Sequence, residues 1–345
     1  MPQRFQWGLA GWLSSLVLLC FGVFGATIAH AAPPDRIVVY CSVDESFARP
    51  ILTAFQEEHG IAVAPVFDGE AGKTTGLVQR IMQEASAGRP RADLFWSSEI
   101  FNTIRLARRG LLEPFDPPSA ADIPSRFRDP EHRWTGVSVR ARVLAYDRAK
   151  FSSEHLPTTW EQLAAPPYVS QLAIANPLFG TTRGHVSAMF ALWGKDRARA
   201  YLTRLRDGGA FIADGNSAAV RAVMDGRFAL AATDTDDVWL AQKRGSAIGL
   251  RYLDLGDGGT LLVPCTVALV RGGPNLDAAK KLLDVLASEK VERLLAVSDS
   301  RNIPVRSGLR EELHLSWPPE SSVSFDAVAN AMDEAEAAVR EILLR

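Results

Sequence analysis

Strand and helix patterns alternate regularly over the first hundred residues after the N-terminal segment, and this alternation limits the possible folds most. Short runs rich in β-branched residues predict strands at residues 36–40, 61–67 and 92–96. Apolar residues at helical spacing predict helices at residues 45–59, 75–87 and 100–109. A strand–helix order repeated in this way predicts a parallel sheet with helices packed on its faces.

A second α/β region follows, and two long strand-like stretches connect it to the first region. These stretches cover residues 134–146 and 260–270. We therefore predict an α/β fold with two lobes, each a sheet flanked by helices, joined by a two-strand hinge. The hinge strands should cross between the lobes near residues 137–142 and 260–266. A cleft between two such lobes is where a ligand is normally held.

The N-terminal segment is typical of an export signal. Arg4 precedes an apolar run over residues 9–28, which ends in the small-x-small sequence Ala29-His30-Ala31. We expect residues 1–31 to be a signal peptide that is cleaved after Ala31. An uncleaved membrane anchor is the alternative, because about 20 apolar residues are enough to span a bilayer.

The rest of the chain has an ordinary globular composition. The 345 residues are 23% charged with a formal net charge of -2, so no basic excess indicates nucleic-acid binding. Cys41 and Cys265 remain after the signal segment, and an oxidising compartment would permit a disulfide between them. Two buried thiols are the other interpretation, since the sequence does not give the distance between the cysteines.

Acidic residues follow most of the predicted strands. Ligands of parallel α/β sheets bind at the carboxyl ends of the strands, so these acids are candidates for ligand binding. They are Asp44, Glu70, Glu99, Asp234, Asp236 and Asp237. Asp44 before the first helix and Asp237 before a helix predicted at 238–244 could instead be helix caps. Carboxylates that converge from both lobes would repel one another unless a cation lies among them, so a positively charged ligand is predicted.

The loop at residues 178–184 indicates the opposite charge. Thr181 and Thr182 open a predicted helix whose free N–H groups and dipole favour an anion, and Arg183 adds positive charge. An ordinary threonine N-cap is the alternative. Acids facing a helix N-terminus suit either a metal ion with a bound anion or a small zwitterion such as an aminophosphonate. A polyamine or another organic cation would use the same acids.

Five segments, taken together in order, resemble the substrate-binding proteins of ABC transporters, and the ferric-ion-binding proteins in particular. They are Val38-Val39-Tyr40, FQEEHGI at 55–61, ADLFW at 92–96, RRGLLEPF at 108–115 and RNIPVR at 301–306. The resemblance implies a two-lobed periplasmic binding protein (type II) fold, with residues 36–137 plus 263–345 in lobe 1 and residues 138–262 in lobe 2. It also implies a monomer in the periplasm that delivers its ligand to a permease and an ATPase.

The resemblance also implies a set of metal ligands. Ferric-binding members use a His after the first strand, a Glu after the third strand and a late Tyr pair. In this sequence Asp44 takes the place of the His, Glu99 matches the Glu, and residues 233–237 replace the Tyr pair. The implied metal ligands are therefore Asp44, Glu99, Asp236 and Asp237, and Fe³⁺ would be a transported ligand and not a required cofactor.

Enzyme motifs are missing from the sequence. It contains neither HExxH nor the G-x-S-x-G elbow, and we expect a binding protein and not an enzyme. A metal-dependent hydrolase that uses Asp234, Asp236 and Asp237 is the main enzymatic alternative, because two-metal chemistry uses clustered aspartates. An anchored sensor domain is a further alternative if the signal segment is not cleaved.

Overall fold

The structure is a computed structural model, and it describes residues 36–68 and 74–344. The predicted signal peptide and Glu70 lie outside the described residues. Within the described ranges, no helix has the length and apolar character needed to cross a membrane.

The secondary structure follows the predicted alternation. The strands are β1 (Arg36–Cys41), β2 (Ala62–Phe67), β3 (Leu94–Ser97), β4 (Leu112–Glu113), β5 (Thr135–Asp147), β6 (Leu172–Ala175), β7 (Phe211–Ala213), β8 (Leu230–Asp234), β9 (Ile248–Arg251) and β10 (Leu262–Val270). The helices are α1 (Glu45–His59), α2 (Thr75–Ser86), α3 (Ile100–Arg108), α4 (Trp160–Leu163), α5 (Gly180–Trp193), α6 (Lys195–Asp207), α7 (Asn216–Met224), α8 (Thr235–Lys243), α9 (Leu276–Leu286), α10 (Glu289–Val297), α11 (Ser307–Glu312) and α12 (Phe325–Ile342).

The strands form a sheet in the order β2-β1-β3-β10-β5-β8-β6-β7. β2, β1 and β3 are parallel to one another, as are β7, β6 and β8, and these two groups are the sheets of the two lobes. β5 and β10 pair antiparallel between them, with Ala141 opposite Leu262. The second half of β5 then pairs with β8 and β9. The predicted two-strand connection is confirmed, whereas the residue boundaries of the lobes stay a prediction.

Both faces of the sheet are buried, which explains why its strands are apolar runs. Neighbouring residues point to opposite faces: Val39 belongs to one hydrophobic cluster and Tyr40 to the other. The same alternation separates Val143 from Leu144 on β5. Helices cover both faces, as a sheet with parallel strands requires.

Both cysteines are buried, and no disulfide joins them. Cys41 on β1 pairs with Trp96 on β3, and Trp96 pairs in turn with Val267 on β10, two residues from Cys265. A whole strand therefore lies between the two cysteines, which places their Cα atoms at least two strand spacings, or roughly 9–10 Å, apart. A disulfide needs Cα atoms closer than about 7 Å, so the sheet topology excludes it and supports the interpretation of two buried thiols.

The helices of the two lobes approach each other closely beside the sheet. A Cβ atom added to Gly184 on α5 would lie 2.2 Å from Cε2 of Phe101 on α3, so only glycine permits this packing. The C-terminal helix α12 contacts both helices through acidic side chains. Asp326 and Asp333 pair with Arg108 and Arg105 of α3 at 2.5 and 3.1 Å. Glu336 pairs with Arg183 of α5 at 2.6 Å. The helix α12 therefore connects the two lobes.

The contact between Glu336 and Arg183 should contribute measurably to stability, because Arg183 is 3% exposed and its charge needs a partner. We expect Glu336→Gln to lower the free energy of unfolding by about 1–3 kcal/mol in urea denaturation. Glu334→Gln is the matched control, since Glu334 pairs with Lys195 through exposed side chains and should change stability by less than about 0.5 kcal/mol. Equal effects of the two variants would contradict this account.

Candidate functional site

A cleft lies where the strands of both lobes end. It offers about 470 Å³ of empty space, part of it open to solvent. Its lining includes Asp44 after β1, Ser98 after β3, Asn176 after β6, Asp214 after β7 and Arg140 from the crossing strand β5. Four of these five residues therefore lie just beyond the carboxyl end of a strand, as predicted for α/β sheets.

The structure brings five of the predicted ligand-binding residues to this cleft. They are Asp44, Thr181, Thr182, Asp234 and Asp237. Asp236 lines a smaller adjoining cavity, together with Asp44, Arg140, Cys265 and Asn302. Glu99 and Arg183 line neither of these two cavities. Their predicted roles in binding therefore find no support in the geometry.

Glu99 is the N-cap residue of α3. Its carboxylate accepts hydrogen bonds from the backbone N–H groups of Phe101, at 2.7 Å, and Asn102, at 3.1 Å. The side chain is 1% exposed, and burial raises its pKa to about 7, although the hydrogen bonds from Asn102 and Phe101 and the charge of Arg183 lower it. The acid after the third strand thus stabilises a helix end.

Asp237 does not cap a helix, contrary to the alternative considered from the sequence. The helix predicted at 238–244 begins at Thr235, so Asp234 is its N-cap residue and Asp237 lies in its first turn. The apolar periodicity of α8 starts after the true beginning of the helix because the residues of its first turn are polar. Of these, Asp237 lines the cleft and Asp236 the adjoining cavity. Asp44 does lie at the N-cap position of α1, but its side chain makes no capping hydrogen bond.

The three aspartates at the start of α8 form a compact acidic group. One carboxylate oxygen from each of Asp234, Asp236 and Asp237 lies within 4.8 Å of the others. Burial, followed by repulsion from Asp236 and Asp234, raises the pKa of Asp237 to about 8. Burial also raises the pKa of Asp236, although Arg140 opposes the shift. The charges of the protein alone therefore do not balance this acidic group.

Two arginines on β5, which the sequence analysis did not single out, lie next to these acids. Arg142 is fully buried and donates to Asp234 at 2.8 Å and to the hydroxyl of Thr181 at 3.1 Å. Arg140 donates to Asp236 at 2.9 Å. Burial alone would raise the pKa of Asp234, but Arg142 and Arg140 outweigh burial and lower it. The sequence did contain a signal for their importance, because the two arginines are charged residues at alternate positions of β5, an otherwise largely apolar strand.

The N-terminus of α5 forms another part of the cleft wall, beside the aspartates, because β6 before α5 pairs directly with β8 before α8. The residue before it, Phe179, offers no side-chain cap, and within the described residues the backbone N–H groups of Gly180, Thr181 and Thr182 have no acceptor. The hydroxyl of Thr181 donates instead to Asp234, at 2.5 Å. Unbonded N–H groups at the start of a 14-residue helix favour an anion at this wall.

Two lobes, each a sheet flanked by helices, enclose a polar cleft and are joined by two strands. This arrangement defines the class of two-lobed binding proteins. A solved structure supports this class: iron-bound HitA from Pseudomonas aeruginosa superposes with a TM-score of 0.76 at 24% identity, over 90% of this chain and 100% of that chain. The fold is therefore the predicted periplasmic binding protein fold.

The family follows from a sequence model. Residues 90–325, more than half of the chain, match the model of the bacterial extracellular solute-binding proteins, and the chain belongs to this family. Its members bind solutes, so the protein is a binding protein and not an enzyme, and the hydrolase alternative is not supported.

Two curated relatives carry more specific descriptions. The Fe(3+)-binding periplasmic protein of Serratia marcescens is 29% identical over 217 residues, which are 62% of this chain and 60% of that protein. The major ferric iron-binding protein of Neisseria meningitidis is 28% identical over 285 residues, 80% of this chain and 83% of that protein.

The pKa of Glu99 leads to a pH-dependent prediction. Since this pKa rises from 4.5 to about 7 on folding, the folded state holds the proton more tightly. The group should therefore lower the free energy of unfolding by about 3 kcal/mol as pH rises from 4.5 to 7, with no further change above that range. In Glu99→Gln this loss should disappear from urea denaturation measured across the same range. Glu45→Gln, an exposed position, is the control, and parallel profiles for Glu99→Gln and wild type would refute the prediction.

Proposed function

We propose that this protein is the periplasmic component of an ABC importer. It captures a metal ion, of the ferric type named for its two relatives, together with a companion anion, and delivers them to a permease and its ATPase. The iron is the cargo and not a cofactor. The observation that carries the proposal is the compact group of Asp234, Asp236 and Asp237, which together with Asp44 lines the cleft and the cavity that adjoins it.

The cation half of the proposal rests on electrostatics. The raised pKa values of Asp236 and Asp237 mean that ionising both carboxylates is unfavourable with the protein's own charges alone. A cation bound among them would remove this penalty and would bring the carboxylates to their charged forms. Carboxylate oxygens are hard ligands that suit hard metal ions. Asp44, Asp236 and Asp237 are the proposed ligands, and in the described part of the chain no tyrosine lines the cleft.

The anion half rests on the N-terminus of α5. The three unbonded N–H groups at Gly180, Thr181 and Thr182 lie at the positive end of the α5 dipole. Thr182 also carries a hydroxyl, which donates to the side-chain oxygen of Asn216 at 3.2 Å. An oxyanion placed against these N–H groups would lie beside the aspartates, since Thr181 donates to Asp234. A metal ion and an anion bound together would satisfy both the carboxylates and the N–H groups.

Elemental analysis and native mass spectrometry of protein released gently from the periplasm test the proposal directly. We expect one bound iron per chain, together with the mass of a small anion. Protein recovered with an organic cation or zwitterion in place of metal would replace the proposal with that alternative. Recovery from the cytoplasmic fraction with the N-terminal segment intact would contradict the proposed location.

Asp237→Asn tests the role of the acidic group. Because burial and the neighbouring aspartates raise the pKa of Asp237 to about 8, a metal ion must displace its proton at neutral pH, so affinity should rise with pH up to about 8. Titration with ferric nitrilotriacetate should show roughly 10- to 100-fold weaker binding by the variant and a flatter pH dependence. Asp277→Asn on α9 is the control, since its side chain is 96% exposed. Unchanged affinity and pH dependence in Asp237→Asn would remove this residue from the site.

A further inference from the structure

Five arginines form a basic surface at the end of one lobe that lies away from the cleft. Arg36 begins β1, and Arg91 comes shortly before β3, which is parallel to β1. Arg271 directly follows β10, which is antiparallel to β3. The carboxyl ends of β1 and β3 lead to the cleft, so these three residues lie at the opposite end of the sheet. With two neighbours they make up the basic face, which consists of Arg36, Arg89, Arg91, Arg109 and Arg271.

The loops that carry these arginines lie against one another. A Cβ atom added to Gly272 would lie 3.3 Å from Cγ of Pro90, in the loop that carries two of the arginines. A Cβ atom added to Gly110, which directly follows Arg109, would lie 3.9 Å from Nη1 of Arg271. The five charges therefore belong to one continuous surface, although they come from four separate segments of the chain.

The positive charge of the basic face is only partly neutralised. All five arginines are exposed, and Arg271 pairs with Glu113 at 3.2 Å. The nearby carboxylate of Glu84 is taken by Arg80, at 3.0 Å, and by the hydroxyl of Tyr40, at 2.5 Å. Within the described ranges, the other four arginines of the face form no ion pair with an acid. This end of the lobe is therefore basic, although the whole chain has 38 Lys and Arg against 40 Asp and Glu.

Helix ends explain only part of this charge. Arg109 directly follows α3 and Arg89 follows α2, and the carbonyl end of a helix dipole favours a cation. Arg36, Arg91 and Arg271 flank strands, whose net dipoles are small, so no helix end accounts for them. Exposed like charges repel one another, and an anionic partner outside the chain would offset this repulsion.

We propose that the basic face binds the surface of an anionic lipid bilayer. Each arginine close to such a surface should strengthen binding about fivefold, and the effect acts within about one Debye length. The location of the face supports a bilayer as the partner. The apolar run at residues 9–28 ends a few residues before Arg36, so the chain enters the described structure at this face. Export through a membrane therefore brings the basic face to the bilayer first.

The basic face and the N-terminal apolar segment would act as two membrane signals. One hydrophobic anchor and a basic patch together give stable attachment, whereas a basic patch alone gives reversible binding. Removal of the signal peptide would thus leave a receptor that stays close to the membrane of its permease without being fixed to it. This inference goes beyond the proposed function and does not depend on which cargo the cleft holds.

Co-sedimentation with lipid vesicles tests the proposal on processed protein isolated from the periplasm. Vesicles of phosphatidylcholine alone are compared with vesicles that contain phosphatidylglycerol and phosphatidylcholine in equal parts. We expect binding to the anionic vesicles only. Binding should weaken strongly between about 10 mM and about 150 mM salt, because the Debye length falls from about 30 Å to about 8 Å.

The variant Arg89→Gln/Arg91→Gln removes two charges of the basic face and should weaken vesicle binding about 25-fold, and Arg109→Gln added to it about 100-fold. The matched control is Arg148→Gln/Arg221→Gln, which removes the same charge from exposed positions outside the face and should bind like wild type. None of the substituted residues lines the cleft, so iron binding should stay unchanged in all of these variants.

Three outcomes would overturn the inference. They are equal binding of wild type to both kinds of vesicle, equal losses in the two double variants, and displacement from anionic vesicles by polyglutamate at the same concentration of negative charge. The last outcome would identify an acidic chain as the partner in place of a bilayer. Protein isolated without iron would refute the ferric cargo alone, because vesicle binding is measured independently of the cleft.

Discussion

Two arginines at alternate positions of β5 provide the positive charge on which the rest of the site depends. Arg140 and Arg142 pair with Asp236 and Asp234, and all four side chains are buried. Arg140 and Asp234 also line the cleft. Buried carboxylates without counter-charges would be protonated or would destabilise the fold. Because β5 crosses from one lobe to the other, it carries this charge to the point where both lobes meet.

This pairing leaves two parts of the cleft without a partner of opposite charge, one acidic and one formed by N–H groups. Asp237 has two hydroxyl donors, from Ser217 and Thr233, and no arginine at hydrogen-bonding distance is recorded for it in the described part of the chain. Its carboxyl group therefore faces the ligand space with a raised pKa, while the neighbouring N-terminus of α5 offers unbonded N–H groups to the same space. Such a site is complementary to a ligand with a positive and a negative part, and a metal ion with its oxyanion is the simplest one.

The arrangement of the lobes depends on contacts outside the cleft as well. The absence of a Cβ at Gly184 lets α5 approach Phe101 on α3, and the acidic face of α12 pairs with arginines on both of these helices. These contacts lie next to Glu99, which caps α3, and to Arg183, which pairs with α12. Two residues expected to touch the ligand therefore support the helices that carry the site, and their electrostatic environment serves the packing of the lobes.

The sequence by itself determined the elements of the fold, because periodicity and burial are local properties. The parallel arrangement of β1, β2 and β3, the crossing strands and the acids after strand ends could all be read in this way, as could the helix-opening threonines. The tertiary structure alone decided which polar residues meet. Arg142 and Asp234 are 92 residues apart and become partners only through the register of β5 against β8. Arg140 became a cleft residue for the same reason: the partners of a buried charge are set by long-range strand register, which local sequence patterns do not encode. Glu99 caps α3 through the nearby N–H groups of Phe101 and Asn102, and only its burial outside the cleft required the tertiary structure.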